Sequence, residues 1–89
     1  MLVALPKTIR SAGQLALIQL LVDERKRAGL TQADLALRLR CHQSLVARIE
    51  SGERRIDVVE LVILSRAIGV LPEDLTKRVA VEVSDDERL

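Results

Sequence analysis

The sequence predicts an all-α fold of five short helices, and three observations carry that prediction. The 89 residues include no Phe, Tyr or Trp, so the core must be built from Leu, Ile, Val and Ala, which suits helix-on-helix packing. Apolar residues recur at three- and four-residue spacing along most of the chain, the period of a helix with one buried face. Gly29, Gly52, Gly69 and Pro72 stand where those periodic runs stop or restart, as helix punctuation requires. Eighty-nine residues make one domain with a single modest core.

Taken in order, Met1 to Arg10 is apolar then basic, broken by Pro6, and reads as an arm or a short strand over Leu2 to Leu5. Ser11 and Gln14 form the N-cap and N3 positions of a capping box. They open a first helix from about Ala12 to Ala28, which Gly29 ends. Its first half, Leu15 to Val22, is apolar nearly all round. That surplus must be covered by the terminal segments or by a second subunit, and the second subunit is the preferred reading. Thr31 caps a second helix over about Gln32 to Arg38, with Leu35, Ala36 and Leu39 on one face. After the break Arg40-Cys41-His42-Gln43, a third helix spans about Gln43 to Ser51 and turns Val46 and Ile49 inward. Helices this short are unstable alone, so they must pack on each other and on the rest.

Glu53 to Ile56 reads as an extended loop, and Asp57 as the N-cap of a fourth helix, Val58 to Ile68, with Leu61, Leu64 and Ile68 inside. Pro72 at N1, with Glu73 and Asp74 in the first turn, opens a short fifth helix. Beyond Thr76 the alternation Val79, Val81, Val83 predicts a strand before the acidic tail Ser84 to Leu89. Such a strand would pair with Leu2 to Leu5 or with a symmetry mate, because a lone edge is a liability. The expected organisation is therefore an arm over 1–10, a helical domain over 11–76 and an extension over 77–89.

Composition removes several functions. One cysteine cannot form an internal disulfide, and one Cys with one His cannot build a zinc site. No metal, cofactor or small-molecule ligand is expected, the chain being too short for a separate sensing domain. No Ser/His/Asp or Cys/His set and no glycine-rich phosphate loop is present, so no catalytic residue is assigned and an enzyme is not expected. No apolar run approaches the roughly 18 residues that span a bilayer. The start lacks the basic n-region of a signal peptide, and a cytoplasmic protein is expected. Lack of aromatics argues against stacking on single strands and against a sheet-type RNA reader. The net charge of +1 conceals a division. Asp23 to Arg55 carries eight positive and five negative charges, and Ile56 to Leu89 four positive and eight negative. A basic half with an acidic far side suits a polyanionic partner.

The third helix faces outward with Gln43, Ser44, Ala47 and Arg48. A polar, mildly basic helix after a tight turn is the arrangement that reads a DNA major groove. Gln43 can bond adenine N6 and N7, Arg48 guanine O6 and N7, and Ala47 can touch a thymine methyl. Gln32 begins the second helix, where an amide and backbone N–H groups can hold a phosphate. Arg38, Arg40, Arg54 and Arg55 border this face and would position the duplex without reading it.

The run from Gly29 to Leu75 resembles the Cro/CI-type (lambda-repressor-like, or XRE) helix-turn-helix family. The likeness rests on Leu30-Thr31-Gln32, the Gln43-Ser44 opening, the Arg48-Ile49-Glu50-x-Gly52 exit and the later Leu61, Leu64, Ala67-Ile68-Gly69-Val70 pattern. It implies a five-helix DNA-binding domain, places Gln43, Ser44, Ala47 and Arg48 against the bases, and makes Arg25 and Glu50 an internal ion pair. It also implies a hydrogen bond from Gln32 to Gln43. The family often has Gly where Arg40 stands, because the turn can require positive φ. Cys41 takes a small apolar position as a packing residue. His42 replaces the usual Ser or Thr, and could cap weakly, contact a phosphate or do neither. The implied function is a nucleoid-associated bacterial or phage regulator, by default a repressor, binding a two-fold duplex operator as a homodimer. The alternative is an antitoxin or anti-regulator with a protein partner, working through the first helix and the Val79 to Val83 edge.

Overall fold

The computed structural model describes residues 11–89, so the expectation of a strand over Leu2 to Leu5 lies outside the described residues. Five helices follow in order: α1 Ala12–Arg27, α2 Gln32–Leu39, α3 Gln43–Glu50, α4 Val58–Ile68 and α5 Pro72–Glu82. The first four fall within a residue of their expected ends, because each is set by a local signal. The Ser11 hydroxyl accepts from the Gln14 N–H at 3.2 Å and starts α1, and Gly29 follows it at φ 76°. Thr31 with Asp34, and Asp57 with Glu60, form complete reciprocal capping boxes at the starts of α2 and α4. Gly69 ends α4 in the left-handed region.

Folding lowers the carboxyl pKa of both N3 acids. For Asp34 the largest cause is the Thr31 backbone N–H donated to it, and for Glu60 it is the hydrogen bond from Arg54, followed by the Asp57 backbone N–H. A depressed folded pKa means that the stabilisation is complete at neutral pH and fades as pH falls through the ordinary carboxylate range of about 4. It is gone below the lowered folded values. Glu60→Gln should therefore lower the melting temperature at pH 7 and make little difference near about pH 2; a pair of melting curves against pH checks this.

The core gathers one stripe from each helix. Leu17 and Leu21 of α1, Leu35 of α2, Val46 and Ile49 of α3, Leu64 and Ile68 of α4 and Leu75 of α5 are all buried together. Ser65 is completely buried among them. It is tolerated because its hydroxyl donates back to the Leu61 carbonyl at 2.6 Å, which meets the need of a buried polar group.

Two expectations about the ends of the domain are corrected. Val79 to Val83 is not a strand: α5 runs helically through Glu82 and only Val83 is extended. Leu75, Val79 and Val83 are spaced four apart, and they turn the same way, toward the core and α1, while Val81 points out with 80% of its surface exposed. The alternation of valines happened to overlie a helical stripe that begins at Leu75. The second concerns the apolar surplus of α1, for which a second subunit was the preferred cover: the chain covers part of it itself, and Leu15 stays 51% exposed. α1 and α5 make the most extensive helix–helix contact of the fold; Leu17 and Leu21 are buried in the core, and Ile18 is buried beside Gly52. Gly13 permits the closeness of α1 and α5, since a Cβ there would lie 2.6 Å from Val83 Cγ2.

Candidate nucleic-acid interface

The site is built from the α2–α3 turn outward. Arg40 adopts φ 57° and ψ 45°, and is the one non-glycine residue with positive φ among those described. Its N–H and that of Cys41 bond back to Leu37 and Ala36 carbonyls at 3.2 and 3.0 Å, closing α2 and reversing the chain within a few residues. The turn thus uses the left-handed conformation expected at a position where relatives often carry Gly. An Arg there is strained by about 1 kcal/mol. Arg40→Gly should raise the unfolding free energy, but by less than about 1 kcal/mol, because glycine also frees the unfolded chain. The shift in urea midpoint measures it. Cys41 is a free thiol, half-buried and packed on the core. His42 takes the N-cap of α3 with no side-chain cap bond and stays exposed, which removes capping from its three alternatives.

From this turn α3 projects with Val46 and Ile49 inward. Gln43, Ser44 and Arg48 are exposed and Ala47 is half-buried. The four residues expected to meet bases therefore share one outward surface at helical spacing. The side chains of Gln43, Ser44 and Arg48 make no hydrogen bond or ion pair among the described residues, and neither does that of Arg40.

What holds α3 in place lies behind it. Arg25 Nε and Nη2 donate to Glu50 Oε2 and Oε1 at 2.7 and 2.8 Å, and Arg25 Nη1 donates to the Leu30 carbonyl at 2.8 Å. Both side chains are 9% exposed, and the Glu50 carboxylate raises the Arg25 guanidinium above its usual pKa. Gln32 joins the same group, its Nε2 donating to Glu50 Oε1 at 3.0 Å. The expected bond from Gln32 to Gln43 is thus replaced. A largely buried carboxylate has more acceptor sites than one guanidinium fills, and it captures the nearby amide.

The bordering arginines differ from one another. Arg38 Nη1 donates to the Ala67 carbonyl at 2.9 Å and ties α2 to the end of α4. Arg54 is ion-paired with Glu60, which raises the Arg54 pKa. Both are engaged within the fold, whereas Arg40 is exposed and has no side-chain partner among the described residues. A second buried acid, Glu24, is held by Arg78 of α5 and by Arg27, each at 3.1 Å. Sequence reading missed it, although Leu17, Leu21 and Glu24 lie along one helical stripe and placed that acid inward.

A short helix, a tight left-handed turn and a braced second helix with a free polar face define a helix-turn-helix protein. The helix-turn-helix family model matches residues 21–75, more than half of the chain. An XRE-family like protein from Pseudomonas syringae pv. tomato is 41% identical, with 88% of this chain and 95% of that one covered and a TM-score of 0.79. The chain belongs to the XRE-type helix-turn-helix family of DNA-binding regulators. The clp gene regulator ClgR from C. glutamicum shares the fold, with 22% identity, coverage of 83% and 96% and a TM-score of 0.70. No curated protein matches the chain. Among the described residues no helix is long and apolar enough to cross a membrane.

Proposed function

We propose that the protein is a sequence-specific transcription regulator that binds a two-fold duplex DNA operator as a homodimer and represses by occupying the promoter. The observation that carries this reading is the outward surface of α3, where Gln43, Ser44 and Arg48 are exposed and unbonded on a helix held from behind by Arg25 and Glu50. Polar groups free of internal partners, fixed on a rigid helix, are what direct base readout needs. Gln43 would read adenine, Arg48 guanine, and Ala47 a thymine methyl, while the Ser44 hydroxyl would donate to or accept from a base edge.

Phosphate contacts would position the helix. Arg40 and His42 flank its start, and the first turn of α2 offers backbone N–H groups beside Gln32. Arg54 and Arg55 would lie along the exit of α3; Arg54, ion-paired with Glu60, and Arg38, bonded to the Ala67 carbonyl, would have to leave those partners to reach a phosphate. Family membership and the P. syringae relative support DNA as the partner. Selection of bound fragments from a random duplex library by the purified protein tests the reading. The expected product is an inverted repeat with half-sites about 34–36 Å apart. Weak, salt-sensitive binding without a motif would leave only the phosphate contribution and would favour a protein partner instead.

A further inference from the structure

Residues 84–89 lie outside the matched helix-turn-helix region and beyond the last helix, and they carry charge that the fold does not use. All six are exposed. Asp85, Asp86 and Glu87 are acids with no ion pair among the described residues. Arg88 leaves their carboxylates alone, because its Nη1 donates to the backbone carbonyls of Asp85 and Glu87 at 3.2 and 3.0 Å. One backbone bond, from the Glu87 N–H to the Ser84 carbonyl at 3.1 Å, holds the segment in an exposed turn.

The segment starts close to the basic exit of α3. Val83 is seated against Gly13. Ile18 stands five residues further along α1, about 7.5 Å on, and its Cδ1 would lie 3.4 Å from a Cβ on Gly52. Gly52 follows α3, with Arg48 one turn before it and Arg54 and Arg55 just after. Six extended residues span about 20 Å, enough to bring these acids to those arginines. A tether this short gives an effective concentration in the millimolar range, so weak exposed ion pairs suffice to make the contact at low salt.

We propose that residues 85–87 act as an acidic strap, which closes over the arginines at the exit of α3 and competes there with the phosphates of duplex DNA. The proposal rests on the reading of Arg54 and Arg55 as phosphate contacts. Arg54 already spends Nη2 on Glu60 and Nη1 on the Arg55 carbonyl. Few of its five N–H donors remain, so a strap carboxylate and a phosphate compete for them. The strap holds the chain off random duplex, where phosphate contacts supply nearly all the affinity, and leaves base readout as it was.

The test compares two triple variants of equal charge change. One carries Asp85→Asn, Asp86→Asn and Glu87→Gln. The control carries Asp23→Asn, Glu73→Gln and Asp74→Asn, whose acids lie at the other end of the α1–α5 pair, beside Glu24 and Arg27. All six residues are exposed, and thermal melts check that both chains stay folded. Affinity for a short random-sequence duplex at about 50 mM salt should rise about three- to thirtyfold in the first variant and less than half as much in the control. The gap should close near about 1 M salt, where screening acts within about 3 Å. In the DNA-free chain the Nε–H NMR signals of Arg54 and Arg55 should shift in the first variant and hold in the control. Unmoved arginine signals would overturn the strap, and so would a rise in affinity that the control matches, since net charge alone would then explain it. Shifted signals in a chain that binds no duplex would keep the strap and remove the DNA reading. A chain that binds duplex equally well with or without these acids would do the reverse.

Discussion

Replacing Glu50 with Ala should lower the unfolding free energy by about 3–5 kcal/mol, the cost of leaving one member of a buried ion pair alone. The value applies here because the guanidinium of Arg25 would remain in a place 9% exposed with two of its three bonds gone. Gln32 would lose its partner as well. Against a total stability of about 5–15 kcal/mol for a small domain, the variant would stand near the edge of unfolding at room temperature. Thermal melts of Glu50→Ala, Arg25→Met and the combination Arg25→Met with Glu50→Leu separate attraction from unpaired charge. The double variant should be more stable than Glu50→Ala, since an apolar pair of similar volume carries no stranded charge. If Glu50→Ala costs less than about 1 kcal/mol, the pair is screened by water like a surface bridge. DNA affinity of Glu50→Ala should recover on cooling, because the defect lies in holding α3 and not in touching bases.

The ion pair also shows what was legible in the sequence. Resemblance placed Arg25 and Glu50 together across 25 residues, and the caps and glycines fixed α1 to α4 to within a residue. These signals are local: a Thr or Asp side chain reaches backbone three residues on, and a glycine sets its own φ. Less legible were the choices of long side chains. Gln32 could bond Gln43 or Glu50, and Arg54 could face a phosphate or Glu60, and nothing in spacing says which acceptor lies nearer. The valines of α5 were misread because periods two and four coincide over so short a run. The apolar surplus was located on α1, where α5 covers part of it, while α4, whose outer valines look in sequence like an ordinary inner stripe, was passed over. Exposure depends on which side the rest of the chain occupies, and that is a property of the packed fold.

The combined substitution Gln43→Ala with Arg48→Ala should remove sequence preference and leave the fold intact. Both side chains are exposed and bond nothing among the described residues, and surface changes of that kind stay within about 0.5 kcal/mol. Each bidentate base contact is worth about 1–3 kcal/mol of discrimination, so losing both costs roughly 2–6 kcal/mol per half-site and brings specific sites toward the affinity of any duplex. Arg40→Ala should behave differently. It sits at the turn with a free guanidinium, and a phosphate contact carries no sequence information. It should weaken all duplexes alike and reduce the salt slope by about one, while the selected motif is unchanged. The contrast can be read from competition binding at two salt concentrations. A double variant that still selects the same motif would take α3 out of the role of reader, and one that loses every duplex equally would make Gln43 and Arg48 phosphate contacts. Only loss of preference with non-specific affinity retained assigns the bases to α3.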